Sequence, residues 1–241
     1  MSYTSAEKAF YQRHYNGEID RHHEIDIESV RREFFAPGQR YHLVEAVMPR
    51  VAERGTLLEL GCSAGQALRY LAQTHQFKKS IGVDIAFEKT VVLAGPPAIE
   101  FMPANLNDAL PFADGSIDLL VAMMVLEHLF DPFQSFSDIR RLLSSGGVAV
   151  VNLPLVTSLK NRLRLLAGEL PITSISFQRW LSDREWDGNH LHYFNIASVH
   201  RLCAACGLEV IATSCVGRFH QIKNLWPSLL ASELTFTVKK V

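Results

Sequence analysis

Thr56-Leu57-Leu58-Glu59-Leu60-Gly61-Cys62-Ser63-Ala64-Gly65-Gln66-Ala67-Leu68 is an apolar run that meets two closely spaced glycines and then continues in a helical pattern. The residues before Gly61 are too few for a helix. They suit a central strand of a parallel sheet, where both faces are covered. Gly61 and Gly65 carry no Cβ, so the turn that links strand to helix can lie against a ligand. Free N–H groups at the start of the following helix favour polar or anionic groups there. Lys79-Ser80-Ile81-Gly82-Val83-Asp84-Ile85 is a second short strand, ending on Asp84. A carboxylate about 20 residues beyond a glycine turn is spaced to take a pair of ribose hydroxyls. Two strand ends therefore converge on a nucleoside.

A dinucleotide site needs G-x-G-x-x-G so that pyrophosphate rests on backbone amides, and this turn has Ser63 in the middle and no third glycine. Glu59, two residues before the first glycine, would also repel a diphosphate. A carboxylate there suits a cationic ligand group. Glu59-Leu60-Gly61-Cys62-Ser63-Ala64-Gly65 resembles the first motif of the class I S-adenosylmethionine-dependent methyltransferases, acidic-x-Gly-x-Gly-x-Gly, with Ser63 in place of the middle glycine. The resemblance implies S-adenosyl-L-methionine as cofactor and S-adenosyl-L-homocysteine as product. It places Glu59, Gly61, Cys62, Ser63 and Gly65 at the methionyl part, Asp84 and Ile85 at the ribose, and Met123 at the end of the fourth strand. Asn105 and Leu106 fall where the family frames the adenine. An acid often holds the adenine amino group there, and the amide oxygen of Asn105 can accept the same hydrogen bond. Asn107 and Asp108 read as turn residues.

Gly61-Cys62-Ser63-Ala64-Gly65 is also G-x-S-x-G, the nucleophile elbow of α/β-hydrolases. Asp118 or Asp131, followed by His190 or His192, stands in the order a triad with Ser63 would need. Against this, residues 1–55 read mainly as helices and lack an HGGG-like oxyanion loop.

Composition sets the wider bounds. The 241 residues are 48% hydrophobic and 20% charged with a formal net charge of −1, which gives no reason to expect nucleic acid or an anionic membrane as partner. No apolar run has the length of a bilayer span and Met1–Glu7 is polar, so a cytoplasmic enzyme is expected. Cys203-Ala204-Ala205-Cys206 lies inside a helical pattern with no second pair nearby, and reads as small buried helix residues.

In chain order, residues 1–55 form an N-terminal helical segment, with patterns over 24–35 and 39–51 and aromatic side chains at Tyr3, Phe10, Tyr11 and Tyr15. It serves either as a lid or as a cover for one sheet face. Residues 56–241 form the Rossmann-like binding domain. After the helix over 64–75 and the strand to Asp84, a short helix over 87–93 precedes strands over 99–102, 118–124 and 148–153, with an amphipathic helix over 133–143. Asn195 caps a helix over 197–206, and strands over 208–215 and 234–241 complete the chain. The expected architecture is α/β: a doubly wound, mostly parallel seven-stranded sheet with an antiparallel C-terminal edge pair.

Glu127-His128-Leu129 resembles the E-H-L segment after strand four of many small-molecule methyltransferases. Quinone-pathway O-methyltransferases read Glu-x-x-Glu-His at this point and have been associated with a divalent metal, but the first of those positions is Met124 here, so no metal set is expected. Glu127 and His128 either position substrate or start a helix. Residues 154–194 form an insertion suited to a substrate pocket, containing Phe177, Arg179, Trp180 and Trp186. His190 and His192 alternate and would share a face in an extended segment, where one can act as general base; His128 completes the catalytic candidates. Residues 161–173 and 190–194 resemble the MetW-like branch, linked in some bacteria to methionine biosynthesis, the likeness covering about residues 55–211. The resulting expectation is methyl transfer to a small molecule, most readily at oxygen, by a monomer or homodimer. A non-catalytic subunit of MetW-like type that regulates a partner enzyme is the alternative.

Overall fold

The computed structural model describes residues 26–51, 53–85, 91–93, 97–174, 187 and 190–241. Tyr3, Phe10, Tyr11, Tyr15, Phe177, Arg179, Trp180 and Trp186 lie outside them. The strands are β1 (Thr56–Leu60), β2 (Lys79–Asp84), β3 (Val91–Leu93), β4 (Ala98–Pro103), β5 (Ile117–Met123), β6 (Leu143–Pro154), β7 (Leu208–Cys215) and β8 (Glu233–Lys240). They form one sheet in the order β3-β4-β2-β1-β5-β6-β8-β7. The five central strands, β4, β2, β1, β5 and β6, run parallel. β8 and β7 pair antiparallel at one edge, as expected.

The sequence reading differs at the other edge. Val91-Val92-Leu93, predicted as the end of a helix, is a short strand antiparallel to β4, which makes the sheet eight-stranded. Its β-branched residues favour the extended backbone that an unpaired edge can hold. β6 also begins earlier than the predicted 148, because Leu143 already pairs with Ile117.

The chain winds outward from β1 through β2 to β4, then returns on the other side of β1 as β5. That reversal of winding leaves a crevice beyond the carboxyl ends of β1 and β5, where open α/β sheets bind ligands. Successive residues of the central strands face opposite layers. On one side Leu57, Leu119, Val121 and Val150 pack with the N-terminal helices α1 (Ile27–Val30) and α2 (His42–Val47) and with α3 (Gln66–His75). On the other, Leu58, Leu120, Ala122 and Val151 pack with α4 (Pro132–Leu142) and α6 (Ile196–Ala205); α5 (Leu159–Leu166) lies between them in sequence.

α4 and α6 start where side chains cap them. Asp131 Oδ1 accepts the N–H groups of Phe133 and Gln134, and Pro132 occupies the first position, which needs no donor. Asn195 and Ser198 form a reciprocal capping box at α6, which bears out the predicted cap. The N-terminal segment covers one sheet face with α1 and α2, and its Gly38–Tyr41 turn reaches the carboxyl ends of the strands. There Gly217 N–H donates to Gly38 O at 2.7 Å and Arg40 pairs with Glu233 at 2.7 Å. Among the described residues no helix is long and apolar enough to cross a membrane. The four cysteines are buried and form no disulfide.

At the opposite end of the sheet, Asp118 accepts the Thr56 N–H at 2.8 Å and the Ser144 hydroxyl at 2.8 Å, which ties the starts of β1, β5 and β6 together. Asp118→Ala is expected to cost about 1–3 kcal/mol by stranding both donors, read as a lower urea-unfolding midpoint with an unchanged slope.

Candidate active site

The site begins at the turn after β1. Gly61 and Gly65 both hold left-handed backbone, at φ +68° and +72°. A Cβ on Gly61 would lie 2.8 Å from Val125 Cγ2, and one on Gly65 would run into the Phe101 ring. Ser63 is the non-glycine residue that this turn forces to φ +46°. The Gly61 and Cys62 N–H groups donate to Val83 O at 2.8 and 3.2 Å, so the turn folds onto the end of β2.

Beneath this turn lies Glu59, 1% exposed. Tyr41 donates its hydroxyl to Glu59 Oε1 at 2.5 Å, while Oε2 is buried without a hydrogen-bond partner. Burial pushes the carboxyl up to about 8, against the pull of the Tyr41 hydroxyl and the Leu68 amide. Tyr41, 18 residues upstream of Glu59, was not legible as a site residue because nothing local marks it.

Asp84 closes β2 beside the turn, and its Oδ2 accepts the Ser63 N–H at 2.9 Å. Ile85 follows at the strand end, half-buried. Beyond β4, Asn105 Oδ1 accepts both the backbone and the side-chain N–H of Asn107, each at 3.1 Å. The buried Nδ2 of Asn105 has no hydrogen-bond partner. The Asn107 amide fixes which way the Asn105 side chain is turned, since the reverse orientation would set donor against donor. The group that Asn105 has to offer is therefore a donor, where the sequence suggested an acceptor. Leu106, next to it, packs against the core.

Met123 ends β5 at the crevice, followed by the turn Leu126–His128. Glu127 is fully buried, and neither of its carboxylate oxygens has a hydrogen-bond partner. Burial pushes this carboxyl up to about 8 as well. Its backbone carbonyl accepts the N–H groups of Leu191 at 2.8 Å and His192 at 3.3 Å, which draws the histidine segment over the end of β5. His190 comes to rest with Nε2 3.9 Å from Glu127 Oε1 and its ring 4.9 Å edge-on from that of His128.

A chain of hydrogen bonds fixes the tautomer of His190. Asp187 accepts the N–H groups of Thr173 and Ser174, and the Thr173 hydroxyl donates to Asp187 Oδ2 at 2.8 Å. The 2.6 Å contact between Thr173 Oγ1 and His190 Nδ1 must then be donated by Nδ1–H, which leaves the lone pair on Nε2. Burial, with the neighbouring His128, lowers the imidazole to about 4, so it is neutral. His192 is separate: its Nε2 lies 3.1 Å from Phe130 O, which makes Nε2 the donor and Nδ1 the acceptor. His190 and His192 are thus held by different partners. Thr173 and Asp187 gave no sequence signal because their role exists only against His190.

The serine-hydrolase arrangement is not assembled. Asp118 is tied to Thr56 and Ser144 at the opposite end of the sheet, and Asp131 caps α4. Among the described residues no hydrogen bond joins the Ser63 hydroxyl to His190 or His192, whose rings are held by Thr173 and Phe130.

Residues 30–213 match the methyltransferase domain family. A probable S-adenosylmethionine-dependent methyltransferase from Mycolicibacterium smegmatis is 32% identical over 181 residues, which cover 73% of this chain. The chain belongs to the class I S-adenosylmethionine-dependent methyltransferases. A probable methyltransferase of the same description from Mycobacterium tuberculosis is 33% identical over 116 residues, 46% of this chain. The chain spans 61% and 40% of the lengths of these two relatives. Neither name points to the MetW-like branch. The crystal structure of an S-adenosylmethionine-dependent methyltransferase from Mesorhizobium loti shares the fold with a TM-score of 0.59 at 16% identity, over 83% of this chain and 97% of that one.

The chain's own residues fit the family's cofactor. An orphaned carboxylate oxygen under a glycine turn is suited to an ammonium group, and a carboxylate at the next strand end is suited to a diol.

Both buried carboxyls stand at about 8 against an ordinary 4.5. The folded state keeps their protons while the unfolded chain releases them, so this stability is present below pH 4.5 and lost as pH rises to 8. His190 acts oppositely: its contribution is present above pH 6.5 and lost as pH falls to about 4. Between 6.5 and 8 the sign belongs to the carboxyls. The ligand-free chain is expected to lose stability across that window, with a slope of up to about 1.4 kcal/mol per pH unit for each carboxyl. Glu59→Gln removes its share, and an unchanged slope in urea unfolding of that variant would contradict burial as the cause.

Proposed function

We propose that the chain transfers a methyl group from S-adenosylmethionine to an oxygen of a small-molecule acceptor. The observation that carries this reading is Glu59, buried beneath the Gly61–Gly65 turn with Oε2 unpartnered, on the strand beside the one that ends in Asp84. S-adenosylmethionine supplies, when bound, a methyl group already activated by its sulfonium. What is left to the chain is to align the two reactants and to take a proton.

Glu59 receives the methionyl ammonium, with Gly61, Cys62, Ser63 and Gly65 as the wall of that subsite. Asp84 and Ile85 meet the ribose, where Asp84 exchanges or shares its bond to the Ser63 N–H. Asn105 donates to an adenine ring nitrogen through Nδ2, Leu106 lies against the ring, and Met123 borders the reacting end. Residues 1–55 act as the lid over this domain, and residues 154–194 shape the acceptor pocket. His128 and His190 hold the acceptor group at the end of β5. His192, whose ring is steered by Phe130 O, presents Nδ1 as the proton acceptor. A hydroxyl acceptor is favoured because it must lose its proton on transfer, and His192 and His190 lie at the strand end where a lone pair can take it.

The reading is tested by calorimetric titration with S-adenosylhomocysteine. Wild type binds it, and Asp84→Ala binds at least about tenfold more weakly, a loss of about 1.4 kcal/mol. Failure of wild type to bind overturns the reading. With an acceptor found by transfer of labelled methyl to a panel of hydroxyl compounds, His192→Ala is expected to lower kcat by about 10²- to 10⁴-fold. An unchanged kcat would remove His192 from the chemistry.

A further inference from the structure

Glu127 and His128 follow one another on the turn after β5, and His190 reaches them from 62 residues further along the chain. One ligand-type atom from each lies within 4.8 Å of the other two. This arrangement contains an independent anomaly. Glu127 is fully buried, yet both of its carboxylate oxygens lack a hydrogen-bond partner, a costly state for a group that has two acceptors to satisfy.

His190 does not relieve it. His190 turns its lone-pair nitrogen toward Glu127, because Nδ1–H is committed to Thr173 Oγ1. At 3.9 Å the two make no hydrogen bond, and once Glu127 gives up its proton both are electron-pair donors, so neither can satisfy the other. A cation between them satisfies both.

We propose that Glu127 Oε, a ring nitrogen of His128 and His190 Nε2 form a three-ligand site for a divalent ion of the zinc class, with a fourth position open to water or to the acceptor oxygen. Two imidazoles and one carboxylate with an open position are a ligand set such ions take. Bonds of about 2.0–2.2 Å place tetrahedral ligand atoms roughly 3.4 Å apart. The His190–Glu127 separation of 3.9 Å reaches that spacing with small side-chain rotations. The outer contacts are of the kind metal-bound histidines use, since Nδ1–H of His190 donates to Thr173 Oγ1, which donates to Asp187. His192, turned to Phe130 O, lies outside the set. The site deepens the proposed function by giving His128 and His190 a cation through which to hold the acceptor, but binding of the ion does not depend on that reading.

The test uses the full chain after chelator treatment, titrated calorimetrically with zinc chloride and, separately, with cobalt(II) followed by its visible ligand-field bands. One ion per chain and low-symmetry four- or five-coordinate cobalt bands are expected. Glu127→Gln and His190→Ala should weaken zinc binding by about a hundredfold or more, and Thr173→Val, which removes an outer contact only, by about tenfold to a hundredfold. His200→Ala, on α6 away from the cluster, should leave it unchanged. His128→Ala, at a half-buried position, provides the answer if the two buried variants do not fold. S-adenosylhomocysteine affinity and melting temperature measured on the same samples separate loss of the ion from loss of the cofactor site or of the fold. The proposal is overturned if wild type takes up no ion, or if the ligand variants bind zinc as wild type does.

Discussion

The parallel pairing of β1 with both β2 and β5 is the constraint on which the rest of the molecule depends. Leu57 to Leu60 sit in register against Leu119 to Ala122 on one side, while Thr56 to Leu60 pair with Lys79 to Val83 on the other. With both edges of β1 occupied, its end can only turn out of the sheet, and the turn it makes is packed against Val125 from one neighbour and hydrogen-bonded to Val83 of the other. The same pairing brings Glu59, Asp84, Met123 and Glu127 to one end of the sheet, although they come from three strands and the turn beyond one of them.

Two carboxyls are buried at that end, Glu59 below the glycine turn and Glu127 beyond β5. Each is held nearly neutral by desolvation, and each has at least one oxygen without a hydrogen bond. A protein selected for stability alone would replace such groups with apolar ones of similar shape. In the proposed function and the proposed ion site, these are the groups that receive positive charge. The N-terminal segment takes part in this arrangement, since Tyr41 donates to Glu59 and Arg40 pairs with Glu233 on β8. The segment that covers one face of the sheet is therefore also linked to the chemistry of the strand ends.

Much of the architecture was legible because it rests on local pattern. Short, mostly apolar segments pointed to β1, β2 and β5, Asn195 marked a helix start, and the spacing from Gly65 to Asp84 pointed to a carboxylate beside the glycine turn, where Asp84 accepts the Ser63 N–H. The misreadings have physical causes. Val91–Leu93 follows a helical pattern in sequence but lies against an edge that an extended segment can extend. Asn105 offers an acceptor on paper, yet Asn107 two residues later occupies it, a competition that composition does not show. His190 and His192 alternate in sequence, and what the alternation does not show is that Glu127 O holds the N–H groups of Leu191 and His192 while the two rings find different partners.

By itself the sequence determined the family, the winding of the sheet and the residue types at the strand ends, because each of these is carried by neighbours within a few positions or by a fixed spacing. Only the tertiary structure decided what those residues face: that Glu59 meets Tyr41, that Thr173 and Asp187 set the tautomer of His190, and that His190 closes on Glu127 and His128. Those contacts span 14 to 63 residues of chain, and no local signal foretells them. They exist because burial forces each polar group to find its partner across the fold rather than along the chain.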